Sequence, residues 1–174
     1  DGLNGLLLIY MTFVIFVLLK LDLLNASMIN HQSMNYIIIF MVILILLNLI
    51  NFLMLGDAGA YALSFFVGYL ILISHNSNPN ISPYFFITLL WYPCFENLFS
   101  IIRKQRFKKS AVEPDTKHFH QLLYFFIAKK FKVNQKLYVN NFTSIIINIF
   151  NILIFFIGSN YIDKTNIQVM LICF

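Results

Sequence analysis

Long apolar runs separated by short polar stretches set the plan of this chain. The run YIIIFMVILILLNLINFLML, residues 36–55, is broken only by Asn48 and Asn51, and comparable runs occupy 3–19, 60–74, 84–102 and 141–158, with 167–174 beginning another. About 20 helical residues cross the roughly 30 Å of bilayer hydrocarbon, and lipid admits only backbones that satisfy their own hydrogen bonds. The pattern therefore predicts an all-α, polytopic transmembrane helical bundle of about five complete spans plus part of a sixth. Turn-forming stretches lie between the runs: LDLLNASMINHQSMN, GDAG, HNSNPNISP, a long basic loop over about 103–139, and SNYIDKTN. No repeat and no separate soluble domain is visible, so 1–174 reads as one membrane-embedded domain.

Composition agrees and excludes a soluble enzyme: 60% of residues are hydrophobic, 11% are charged, and the mean hydropathy is +0.79. Cys94 and Cys173 both lie in apolar segments without ligand spacing, which indicates neither a disulfide framework nor a metal site. Residues 1–19 lack the basic leader and small-residue cleavage site of a signal peptide. The chain opens on Asp1 and stops at Phe174 about a third of the way through an apolar run, so a fragment is the expectation. Ten of the twelve Lys and Arg residues fall between Arg103 and Lys136, which marks that loop as cytoplasmic. Counting crossings back from it places DGLNG, GDAG and the basic loop on one cytoplasmic face.

Those stretches hold Asp1, Asp57, Glu113, Asp115, His118 and His120, a set able to hold a divalent ion and a charged phosphate substrate at a membrane face. Each also has an ordinary reading. Asp57 can cap a helix starting near Ala60, and His118 and His120 can be solvated loop residues. RKQRFKK can be a topology signal or an anchor to anionic headgroups. Glu96 can snorkel to the interface or pair with Arg103. Around Lys129 to Lys136 the chain is either a surface segment or the end of a short amphipathic helix from Gln121 to Phe131.

Taken together, DGLNGL, LGDAGAYALSF, FENLFSIIRK and EPDTKHFHQLL stand in the order and approximate spacing of a known family. The chain resembles the C-terminal half of the bacterial polyprenyl-phosphate N-acetylhexosamine-1-phosphate transferases, which include undecaprenyl-phosphate N-acetylglucosamine-1-phosphate transferase and phospho-N-acetylmuramoyl-pentapeptide transferase. The resemblance implies that Asp1 and Asn4 bind the nucleotide sugar, with Asn4 replacing an acidic residue. It implies that Asp57 ligates Mg²⁺, with Mn²⁺ as a substitute, and that Ala60 replaces a serine. Arg103 matches an arginine seven residues after the acidic position held by Glu96. Asp115, His118 and His120 fall on a histidine-rich phosphate-binding loop, in which Thr116 replaces Arg and Gln121 the last His. Lys108, Lys109 or Lys117 can restore the charge lost there, as point charges rather than bidentate forks.

The implied activity is transfer of a sugar-1-phosphate, such as GlcNAc-1-phosphate, from a UDP-sugar to undecaprenyl phosphate, with release of UMP, to initiate a cell-surface glycan. Asp57, His118 and His120 form its catalytic set; Asp1, Asn4, Arg103, Asp115 and Gln121 form its substrate-binding set. The implied location is the bacterial inner membrane, with the active site on the cytoplasmic face. Expected partners are the UDP-sugar, the polyprenyl phosphate and the bilayer, with no nucleic acid, and a homodimer is the oligomer to look for. The family's paired aspartates would lie upstream of Asp1, so the chain alone is expected to be inactive. Two alternatives stay open: a transporter or channel subunit with Asp57 on an ion path, and, within the family, the pentapeptide transferase, whose loop carries consecutive histidines.

Overall fold

A computed structural model describes residues 2–24, 30–106, 118–131 and 135–173. Among them every regular element is a helix: α1 (Leu6–Lys20), α2 (His31–Leu49), α3 (Gly56–Ser77), α4 (Pro83–Thr88), α5 (Trp91–Arg106), α6 (Phe119–Phe131), α7 (Lys136–Ser159) and α8 (Thr165–Cys173). The chain is a helical membrane protein in its surface as well as its composition. Phe65 is 80% exposed, and Tyr36, Phe40, Ile43, Leu46, Tyr61 and Leu72 also point outward along α2 and α3. Polar side chains meanwhile turn in: Ser74, Thr88, Thr143, Ser144, Asn148, Asn151 and Gln168 are buried. Apolar outside and hydrogen-bonded inside is the arrangement lipid favours.

Three helices among the described residues are long and apolar enough to cross a membrane, within α2, α3 and α7, where the apolar runs predict five complete spans. The run at 3–19 becomes α1, whose 15 residues reach only about 22 Å. It is the central helix, with Val14, Ile15 and Leu18 fully buried, and α2, α3 and α7 pack around it. Its first turn is pinned by asparagines of its neighbours. The Asn4 amide donates to Asn140 Oδ1 on α7 (2.7 Å), the Gly5 amide donates to Asn48 Oδ1 on α2, and Asn148 Nδ2 of α7 donates to the Leu6 carbonyl (3.2 Å).

The run at 84–102 divides into α4 and α5. Pro93 lacks the N–H that would bond the Leu89 carbonyl four residues back, and the Tyr10 hydroxyl of α1 donates to that carbonyl instead (2.8 Å). The break is thus stabilised by a tertiary hydrogen bond and leaves α5 a short helix rich in polar residues, which is not among the three long and apolar enough to cross a membrane. α4 and α8 pack together and against α7, tied by buried Gln168, which accepts from Thr88 Oγ1 (3.0 Å) and donates to the Gly158 and Tyr161 carbonyls (2.9 Å each). GDAG is helical rather than a loop: α3 starts at Gly56, whose φ of +65° makes the turn into it, a conformation glycine adopts without steric cost.

Candidate functional site

The start of α6 is where sequence-distant groups meet. Its first amides need acceptors from outside the helix. The His118 amide donates to Gln121 Oε1 (3.3 Å), three residues on, as in a capping box. The next two go to Glu96 of α5: the Phe119 amide donates to Oε2 (3.1 Å) and the His120 amide to Oε1 (3.2 Å). The Tyr92 hydroxyl, one turn earlier on α5, also donates to Oε1 (2.8 Å). His120 Nδ1 lies 3.0 Å from Oε1 and His118 Nδ1 3.4 Å from Oε2, so the two imidazoles stand stacked, with centroids 5.4 Å apart and planes 9° from parallel.

Glu96 is therefore buried, at 8% exposure, and turns inward instead of snorkelling. Burial by itself would raise its carboxyl. The hydrogen bonds from His120 and Tyr92, together with the His120 charge, outweigh burial and hold it at about 2, against an ordinary 4.5. An ionised Glu96 accepts only.

A cavity of about 460 Å³ opens beside this cluster, lined by Asp57, Glu96, His118, His120 and Gln121 along with Gly2, Tyr10 and Tyr92. Asp57 arrives from the second position of α3, in its first turn, following Leu55 as an N-cap whose side chain makes no capping hydrogen bond. The helix expected to start near Ala60 starts earlier, so Asp57 stands within its first turn rather than ahead of it, with its carboxylate exposed and lining the cavity. His118 and His120 are likewise not solvated loop residues, since the carboxylate anchors both.

Asn4 lies apart from this cluster. It lines a second cavity of about 590 Å³ with Asn48, Asn51, Gly56, Lys136 and Asn140, and a smaller space of about 340 Å³ shares Gln121 with the first and Tyr124 and Asn140 with the second. All three share Gly2. Arg103 sits in the last turn of α5, its guanidinium 5.3 Å from the Phe99 ring, and lines none of these spaces. Asp1 and Asp115, with Glu113, Thr116, Lys108, Lys109 and Lys117, fall outside the described residues.

Among the described residues no group of three or more His, Cys, Asp and Glu side chains could hold a metal ion alone. Glu96 has its oxygens occupied by donors, which leaves Asp57 as the open carboxylate among the described residues that line the cavity. One carboxylate suits Mg²⁺, which commonly takes one or two, keeps several waters and completes its shell with substrate phosphates. Sequence reasoning named Glu96 as a surface or paired residue and as the acidic position of a matched motif, without a role at this site, and did not select Tyr92, Gly2, Asn51 or Asn140. The signal available for Glu96 was its cost, a carboxylate in an apolar run. Compared with known protein families, curated proteins and solved structures, the chain matches none.

Proposed function

We propose that the chain carries part of the active site of a membrane phosphotransferase that moves a sugar-1-phosphate, such as GlcNAc-1-phosphate, from a UDP-sugar to undecaprenyl phosphate and releases UMP. The observation that carries this reading is the single cavity that faces the open carboxylate of Asp57 with the two anchored imidazoles of His118 and His120. In such a transfer an oxygen of the lipid phosphate forms a bond to the sugar-bearing phosphorus, and the bridging oxygen of the diphosphate leaves with UMP. Catalysis in reactions of this kind is mostly positioning and neutralisation of charge.

The residues divide that work. Asp57 would hold Mg²⁺, or Mn²⁺ in its place, which when bound supplies positive charge to the diphosphate. His118 and His120 hydrogen-bond phosphate oxygens. Asn4, in its cavity of amides, contacts the nucleotide sugar by neutral hydrogen bonding, which suits an asparagine where the family resemblance places an acid. The apolar helices around the site keep the lipid acceptor and the reacting groups at one membrane face, on the cytoplasmic side by the distribution of basic residues.

The test expresses the chain from its complete open reading frame and measures UMP release from UDP-N-acetylglucosamine with undecaprenyl phosphate and Mg²⁺. Release is expected in the native protein and its loss in a folded Asp57→Ala variant. Absence of release with every UDP-amino sugar tried, or release indifferent to Asp57, rejects the reading; cation flux through the reconstituted chain would favour a transport path instead.

A further inference from the structure

We infer that Glu96 is the positioning residue of this site: it locks His120 in the tautomer that carries its proton on Nδ1, so that Nε2 is the ring atom presented beside Gly2 at the cavity. Three of the groups on the carboxylate owe nothing to the imidazoles. The Tyr92 hydroxyl and the Phe119 and His120 amides all donate to it, and they fix its orientation whatever the rings do. Every neighbour is a donor, and an ionised carboxylate has no proton to give. The nitrogen 3.0 Å from Oε1 must then be N–H.

Gly2 closes the other side. A Cβ there would stand 2.7 Å from His120 Nε2, so the ring is held between a carboxylate on one edge and a residue with no side chain on the other. With Nδ1 committed, Nε2 has two states. In the neutral ring it offers a lone pair; in the imidazolium it offers a second N–H, with Glu96 balancing the charge from behind. Only the second state can donate to a phosphate oxygen. Partner carboxylates commonly orient working histidines in this way, and a site held by its surroundings needs no rearrangement when the substrate arrives.

The inference rests on the proposed phosphate role of His120 only for turnover; the tautomer is a property of the chain itself. The experiment records ¹⁵N spectra of the histidine-labelled chain in lipid nanodiscs, where the two ring nitrogens and their protons are distinguished directly. His120 is expected to carry a proton on Nδ1, alone in the neutral ring and together with Nε2 in the imidazolium, unchanged by Asp57→Ala in the same cavity and shifted towards the Nε2–H form by Glu96→Leu, which has no acceptor oxygen. In the complete open reading frame Glu96→Leu should lower turnover roughly 10- to 100-fold, with part regained in Glu96→Asp. A native His120 protonated on Nε2 alone, or an Nδ1–H form that survives Glu96→Leu, overturns the inference. Should Glu96→Leu fail to fold, Tyr92→Phe removes one donor from the carboxylate and is expected to move the His120 Nδ1 resonance; no movement overturns it equally. A native enzyme without turnover but with the expected tautomer would reject the transferase reading and leave Glu96 in its role.

Discussion

Gly2→Ala is the perturbation that reads the packing of the site most directly. Position 2 has no left-handed φ, unlike Gly5 and Gly56, so alanine strains nothing in the backbone and the whole effect comes from its methyl group. That carbon would lie 2.7 Å from His120 Nε2 and 3.2 Å from Cδ2. Ordinary contact begins near 3.4 Å, so the ring must yield by about 0.7 Å, the difference between 2.7 and 3.4 Å, because repulsion rises steeply inside contact distance. Straight back lies the Glu96 carboxylate, already 3.0 Å from Nδ1; swinging aside breaks that hydrogen bond. A hydrogen bond to a charged group contributes about 1.5–3 kcal/mol, which sets the expected loss of stability. Denaturant unfolding in detergent should show it in the native background and lose it in His120→Ala, where no ring is left to displace. The coupling energy of that double-mutant cycle is the measured quantity. Equal costs in the two backgrounds, or a Gly2→Ala change within about 0.5 kcal/mol, would refute the clamp.

Acid should act on the same carboxylate. With the Glu96 carboxyl at about 2 when folded against 4.5 ordinarily, its stabilisation is complete above pH 4.5 and lost as pH falls towards 2. Unfolding measured across that window should show a fall in the native chain that Glu96→Gln lacks; parallel curves would contradict it. Tyr10→Phe leaves the Leu89 carbonyl at the α4–α5 break without its donor and should cost about 1–3 kcal/mol, with loss of hydrogen-exchange protection around Leu89 and Leu90; an unchanged chain would mean that the break holds by packing alone.

Much of the fold was legible in the pattern, and the misses have physical causes. The apolar runs gave the all-helical membrane class and the approximate places of α2, α3 and α7, because a bilayer demands length and hydrophobicity that leave a plain mark. The run at 3–19 appears as α1, a 15-residue helix at the centre of the bundle and shorter than the run that predicts it. Pro93 was visible, but the hydroxyl that donates to the carbonyl it leaves free comes from Tyr10, more than 80 residues earlier. The residues of the site were partly legible. Asp57, His118, His120 and Gln121, singled out from separate stretches of the chain, line one cavity. Glu96 was missed as their organiser because its partners lie across a long loop, and spacing along the chain says nothing of who meets whom in space. The asparagines of α2 and α7 were passed over for the same reason: each is one polar residue in an apolar run until the neighbouring helix supplies its partner.

The pinning of α1 also dictates an order of assembly. The Asn4–Asn140 and Asn148–Leu6 hydrogen bonds join residues 136 and 142 positions apart, so α1 cannot be enclosed until α7 has been synthesised. During translation α1 leaves the ribosome well before its last covering helix. Its buried face must wait against α2 and α3, or against an insertion factor, for the length of more than 100 residues of synthesis. Contacts so distant in sequence form late and slowly. A nascent chain arrested before residue 136 should leave α1 open to protease and, at a cysteine introduced into α1, to thiol-directed reagents, and one extended past α7 should protect it.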